Sequence, residues 1–208
     1  MTPLLHGTYL FFVGFVFSFI GSIPPGTLNI SALQLGMLHR IRAAFYFALA
    51  ACLVEYVYAF AAVRFQVYLT TNSQFTLWFK VISGSVMVLL GVVNLMAKPK
   101  PEALNKKQQI KAGFKKGVAL SVANPLAIPF WLMVTAYLQN SNLITLSNNT
   151  GIAIYVAGIS AGTFLLLFLV AILYKKFAHL FKNSLVVYRL PGALILAMGL
   201  YAFFSLLS

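Results

Sequence analysis

The sequence contains very little charge and almost no acid. Of its 208 residues only 2 are Asp or Glu, and charged residues of both signs make up 8% of the chain, whereas a soluble domain usually carries about 25%. This composition excludes an ordinary water-exposed surface. The single cysteine, Cys52, excludes a disulfide or a metal–thiolate cluster within the chain. The absence of a G-x-x-x-x-G-K-[ST] loop excludes the usual ATP-binding motif.

What the sequence has instead is a series of long apolar runs. Hydrophobic residues make up 61% of the chain, and a helix needs roughly 20 apolar residues to cross a hydrocarbon core. We therefore predict an all-α integral membrane protein, in contact with membrane lipids, with six transmembrane helices in one membrane domain (1–208). Its net charge of +13 does not indicate nucleic-acid binding, because the cations lie between apolar runs. The predicted spans are 8–38, 43–66, 75–97, 117–138, 151–174 and 188–207.

The fifteen Lys and Arg residues are distributed very unevenly between the two sides of the predicted bundle. Only Arg64 and Lys80 fall on one side, and the other thirteen fall on the opposite side, many of them in a basic loop at 98–116. Lys and Arg are retained preferentially in cytoplasmic loops. We therefore predict that both termini lie outside the cytoplasm. The segment before the first span lacks Lys and Arg, so we expect no removable signal peptide.

The chain also shows an internal repeat of three helices. A shift of 108 residues aligns 83–91 with 191–199, with both glycines of each segment in register, and a shift of 100 aligns Pro25 with Pro125. The first repeat covers about 8–97 and the second about 117–208. Because three is odd, the second copy enters the membrane from the opposite side, as in many secondary transporters. The alternative is a chance similarity between apolar helices.

Two proline-containing motifs interrupt the first and fourth predicted spans: GSIPPGTLN at 21–29 and SVANPLAIP at 121–129. Proline removes a backbone donor, and the carbonyls it leaves unpaired in a membrane must face protein or a water-filled cavity. We predict that both helices are broken near mid-membrane, at Pro25 and Pro125, and line a solute pathway. The alternative is a pair of packing kinks.

Each predicted break creates a helix N-terminus, whose positive dipole end favours a carboxylate ligand. The expected substrate-binding residues are those beside the two prolines, and Asn124 is a candidate N-cap for the helix that follows it. An amino acid or organic acid is therefore the expected solute. The complete predicted set is Pro25, Gly26, Thr27, Asn29, Asn124 and Pro125.

Glu55 lies near the centre of the second predicted span, where a carboxylate facing lipid would be costly. It belongs to a helical stripe of small residues, which is typical of a packing face. We predict that Glu55 faces the bundle interior and either carries a coupled ion or pairs with the ammonium group of a substrate. The structural alternative is a protonated Glu bonded between helices. The repeat-equivalent residue is Thr163, and the stripe consists of Ala48, Ala51, Cys52, Ala59 and Ala62.

Several other small or polar residues in the predicted spans have weaker expected roles. Gly158 and Gly162 form a small-xxx-small pair that allows helices to approach closely. Five further residues are candidates for polar lining of the pathway. They are Ser22, Ser31, Gln34, Ser121 and Thr135.

The Pro25-Gly26 break followed by Asn29, the later Asn124-Pro125 pair and the paired glycines together resemble the LysE/RhtB amino-acid exporter family, over essentially the whole chain. The resemblance implies a six-helix bacterial inner-membrane exporter for an amino acid such as lysine, arginine, threonine or homoserine, driven by an ion gradient. Two motifs differ, because the family usually has Pro-Gly-Pro and often Asn-Pro-Lys where this chain has PGT and NPL. The resemblance therefore does not specify a single substrate.

Three other functions fit the sequence less well. A membrane thiol-electron carrier needs a pair of cysteines, which the chain does not have. A metal-ion exporter would use clusters of Asp, Glu, His or Cys, and a non-transporting scaffold would use the basic loop to contact anionic lipids or a partner. No catalytic residues, cofactor or metal site is predicted. A homo-oligomer is compatible with each of these readings.

Overall fold

The computed structural model describes residues 3–23, 26–71, 110–124 and 127–177, together with separate positions between 81 and 96 and between 189 and 204. All the secondary structure in these described residues is helical, which confirms the all-α prediction for this part of the chain. The helices are α1 (Pro3–Gly21), α2 (Thr27–Met37), α3 (Ile41–Thr71), α4 (Ile110–Val122), α5 (Ala127–Asn140), α6 (Asn149–Ile172) and α7 (Tyr174–Phe177).

Three of these helices contain segments long and apolar enough to cross a membrane, namely Leu4–Gly21, Ile41–Tyr68 and Asn149–Ile172. A fourth candidate is the pair Gly113–Val122 and Ala127–Asn140, which is bent by 66°. They correspond to the predicted first, second, fifth and fourth spans, and they support a multi-pass membrane protein. The predicted spans at 75–97 and 188–207 lie largely outside the described residues, so the number six stays a prediction.

The fourth span begins earlier than expected from the apolar run. α4 starts at Ile110, whereas the predicted span starts at 117, so the last part of the predicted basic loop is helical. The reason is a tertiary contact with α3: a Cβ at Gly113 would lie 2.5 Å from the carbonyl oxygen of Ala43, and one at Gly117 2.5 Å from that of Phe47. Such close backbone packing extends the helix beyond its apolar part.

The described helices are arranged around two central ones. α1 and α2 pack on α6, α4 and α5 pack on α3, and α3 and α6 pack on each other. At the α1–α6 contact Gly158 lies directly against the backbone of Phe11, and a Cβ at Gly162 would lie 2.5 Å from the carbonyl oxygen of Phe15. The predicted packing role of this glycine pair is therefore confirmed.

The small-residue stripe of α3 faces the interior of the bundle. Each of its members is less than a tenth exposed, with Cys52 the most exposed at 8%. This confirms the predicted orientation of the face that also carries Glu55. The buried members are Ala48, Ala51, Cys52, Ala59 and Ala62.

The glycine contacts predict that adding one methyl group destabilises the protein. We expect Gly162→Ala to lower the free energy of unfolding by about 1–3 kcal/mol, because the new Cβ overlaps the α1 backbone. Thermal or SDS unfolding in detergent measures this effect. Gly26→Ala is the matched control, because a Cβ there meets no atom of the described residues within 4 Å and the residue has φ −114°. Equal unfolding midpoints for the two variants would contradict the packing described.

Candidate functional site

The first break separates α1, which ends at Gly21, from α2, which begins at Thr27. Pro25, predicted at this break, lies outside the described residues. Gly26 is the N-cap of α2 in an extended conformation, with φ −114° and ψ −177°. Among the described residues, no side chain caps the helix there and no atom lies within 4 Å of a Cβ built on Gly26. The start of α2 therefore has no side-chain cap in this part of the chain.

Asn29 connects the two halves of the first span. Its side chain is 5% exposed, and Nδ2 donates a hydrogen bond of 2.7 Å to the carbonyl oxygen of Ser22, just beyond the end of α1. This bond satisfies one of the carbonyls that the break leaves without a helical donor. Thr27, by contrast, is exposed. A direct role of either residue in binding a solute stays a prediction.

The second break separates α4, which ends at Val122, from α5, which begins at Ala127. Pro125 again lies outside the described residues. The hydroxyl of Tyr58 on α3 donates a hydrogen bond of 3.0 Å to the carbonyl oxygen of Val122. Asn124 is half-buried, and its backbone N–H bonds to the Ser121 carbonyl at 3.1 Å, which continues the last turn of α4. Its predicted capping role toward α5 stays a prediction.

The sequence did not predict a role for Tyr58. It donates a hydrogen bond to a carbonyl at the second break, as Asn29 does at the first. Its position three residues after Glu55 places both side chains on adjoining parts of one helix surface. That spacing is the only local signal for it, and by itself it does not reveal a contact with a carbonyl on another helix.

Glu55 is half-buried near the middle of α3. One of its carboxyl oxygens, Oε1, accepts a hydrogen bond from the indole Nε1–H of Trp131 on α5. Trp131 is 1% exposed, and a buried indole needs such an acceptor. The bond confirms that Glu55 faces another helix of the bundle. It also ties the centre of α3 to the half-helix that follows the second break.

The two breaks are in contact with each other through Phe130. A Cβ at Gly21, the last residue of α1, would lie 2.6 Å from Cζ of this ring. Phe130 also packs edge-to-face on Trp131, with ring centroids 4.9 Å apart. The residues around both breaks therefore form one region, which we call the break site. It consists of Gly21, Gly26, Asn29, Glu55, Tyr58, Phe130 and Trp131.

Several buried polar side chains lie in the same helices. Ser18 and Thr163 form a buried hydrogen bond of 2.8 Å between α1 and α6. Ser121 is 3% exposed, and its hydroxyl has no hydrogen-bond partner among the described residues. In the same helices four other buried side-chain atoms also have no partner among the described residues. They belong to Gln34, Gln66, Gln139 and Ser160.

The charge of the break site comes from one carboxylate and from helix termini. Glu55 is the only acidic residue in any predicted span, and Arg64, farther along α3, bonds to the side chain of Asn149 at the start of α6. A shallow groove of about 380 Å³ is lined by Leu4, Gly7, Thr8, Phe11 and Ile154. These residues belong to other parts of α1 and α6, so the groove is not part of the break site.

One comparison with known proteins identifies a family. The family model described as LysE type translocator matches residues 19–205. The match includes both breaks and every residue of the break site. No curated protein and no solved structure shows significant similarity to the chain.

The hydrogen bond at the second break predicts a measurable effect of one hydroxyl group. We expect Tyr58→Phe to lower the free energy of unfolding in detergent by about 1 kcal/mol, because the Val122 carbonyl loses its donor. Tyr56→Phe is the matched control on the same helix, since its hydroxyl makes no hydrogen bond with the described residues. If both variants unfold at the same denaturant concentration, the bond does not stabilise the break.

Proposed function

The chain belongs to the LysE type translocator family, and we propose that it is a secondary transporter that exports an amino acid or similar small metabolite across the bacterial inner membrane. Transport would proceed by alternating access, coupled to proton or cation movement. The observation that carries the proposal is the break site, where two interrupted helices meet beside a membrane-embedded carboxylate. Interrupted helices near mid-membrane are the usual ligand-binding elements of secondary transporters.

The chemistry of the break site is complementary to an α-amino acid. The N-terminus of α2 at Gly26, which no described side chain caps, offers backbone donors and a positive dipole end to a carboxylate. Glu55 offers a negative partner to an ammonium group. An α-amino acid carries both groups on adjacent atoms. The predicted contributions of Thr27, Asn29 and Asn124 are part of this proposal.

The inverted repeat is supported by a reciprocal contact between the third and sixth predicted spans. A Cβ at Gly91 would lie 2.7 Å from the backbone nitrogen of Leu196, and a Cβ at Gly199 2.8 Å from that of Val88. The shift of 108 residues converts Gly91 into Gly199 and Val88 into Leu196. A contact whose partners exchange in this way is expected where two copies are related by a two-fold axis.

The helix packing supports the same arrangement. The two halves of the first span pack on α6, and the two halves of the fourth span pack on α3. These are equivalent contacts if the second three-helix unit repeats the first in inverted orientation. We therefore include six spans, with the first and fourth broken at proline and both termini outside the cytoplasm, in the proposal.

Two alternatives are less well supported by the described residues. A metal-ion exporter would need several oxygen, nitrogen or sulfur ligands at membrane depth, and the break site contributes one carboxylate. A non-transporting scaffold does not require two interrupted helices to meet beside an acid. Solute export accounts for both features.

Transport in reconstituted liposomes tests the function directly. We expect counterflow of at least one amino acid, and we expect Glu55→Gln to retain exchange while losing about tenfold or more of the accumulation driven by a pH gradient. Glu102→Gln is the matched control, because Glu102 is the only other acidic residue and lies in the basic loop. Unchanged accumulation in Glu55→Gln would assign Glu55 a structural role, and absence of exchange for all amino acids would contradict the proposed substrate class.

The membrane orientation is tested by labelling single cysteines. In a Cys52→Ala background, we expect Ser147→Cys, in the loop between α5 and α6, to react with an impermeant maleimide in intact cells. Lys176→Cys should react only after permeabilisation, because the positively charged side faces the cytoplasm. The reverse pattern would place both termini in the cytoplasm.

A further inference from the structure

The helix contacts align the first half of span one with the first half of span four. Gly151 on α6 contacts the side chain of Leu10 on α1, and Gly113 on α4 packs against Ala43 on α3. Leu10 and Gly113 are 103 residues apart, three more than Pro25 and Pro125, because the segment before Pro125 is three residues shorter than the one before Pro25. Ala43 and Gly151 are 108 apart. A Leu10–Gly151 contact in one half therefore corresponds to the Gly113–Ala43 contact in the other.

A second pair of contacts has the same two offsets. Gly14 on α1 lies against the carbonyl oxygen of Tyr155, and Gly117 on α4 lies against that of Phe47. Gly14 and Gly117 are again 103 residues apart, and Phe47 and Tyr155 are again 108 apart. The packing of α1 on α6 thus has the same register as the packing of α4 on α3.

These offsets relate two pairs of polar residues, of which one pair is hydrogen-bonded and the other is not. Ser18 corresponds to Ser121, and Thr163 corresponds to Glu55. Ser18 and Thr163 are joined by a hydrogen bond of 2.8 Å. Ser121 has no partner among the described residues, while Glu55 bonds to Trp131 beyond the second break.

We propose that Ser121 is a second hydrogen-bond partner of Glu55, which replaces Trp131 when the transporter faces the opposite side of the membrane, while the Ser18–Thr163 bond opens. This rests on the proposed function, because inverted repeats exchange their conformations between the two states of an alternating-access cycle. The arrangement now seen between α1 and α6 then forms between α4 and α3.

Ser121 is thus a positioning residue for the transport cycle. In the described state its buried hydroxyl has no hydrogen-bond partner among the described residues, so it is available to bond to Glu55 in the other state. Glu55 keeps a hydrogen-bond donor in both states. Its carboxylate moves from the half-helix after the second break to the half-helix before it, and therefore passes the place where a solute would bind.

The fluorescence of Trp131 reports this exchange without any transported solute. The chain has two tryptophans, so the Trp78→Phe variant has Trp131 as its only one. A Trp78→Phe, Glu55→Ala double variant gives the reference emission of Trp131 without its hydrogen bond to Glu55. We expect Ser18→Ala to move the emission toward this reference, because it removes a bond present only in the described state. An interhelical hydrogen bond in a membrane corresponds to a population shift of about threefold. Thr163→Val removes the same bond and should give the same shift.

The decisive variant adds Ser121→Ala to Ser18→Ala. We expect the emission to return to that of the Trp78→Phe parent, because each state has then lost one bond. Ser160→Ala is the matched control, since Ser160 is another serine whose buried hydroxyl has no partner among the described residues, and the emission should stay shifted. An unchanged emission in Ser18→Ala, or a shift that Ser121→Ala does not reverse, overturns the proposal. A lack of amino-acid exchange in liposomes would instead contradict the proposed function.

Discussion

The structure depends on one constraint of the membrane interior: a backbone carbonyl that loses its helical donor must find another donor within the protein. Each helix break has such a carbonyl, and a side chain supplies the donor in both cases. Asn29 bonds to the Ser22 carbonyl, and Tyr58 bonds to the Val122 carbonyl. The second bond also holds the centre of α3 against the break, and so positions Glu55 one turn away.

Close backbone packing places the broken helices around the central pair α3 and α6. Hydrophobic burial does not drive helices together in lipid, so van der Waals contact between backbones contributes more there than in a soluble protein. Glycine provides that contact on both sides, at Gly158 and Gly162 against α1 and at Gly113 and Gly117 against α3. Phe130 then connects the two breaks. A single carboxylate beside two helix termini is the result.

The sequence by itself determined the features that follow from local physical rules. Beyond the first turn of a helix, proline removes a hydrogen bond and clashes with the preceding turn, so interruptions near Pro25 and Pro125 were predictable from the motifs, and the helices end at Gly21 and Val122. The cost of charge in lipid predicted that Glu55 faces the interior, and the period of the small residues predicted which face of α3 is buried. The sequence also shows the uneven charge distribution and the repeat, which predict the membrane orientation and the inverted arrangement of the helices.

Only the tertiary structure decided which side chains complete the break site. Trp131, Tyr58 and Phe130 act through contacts with residues far away in the sequence, and no local pattern distinguishes them from other aromatic residues of an apolar helix. The early start of α4 at Ile110 also depends on packing against α3 rather than on its own hydropathy. Composition and periodicity describe one helix at a time, whereas hydrogen bonds across a break depend on how the helices are placed together.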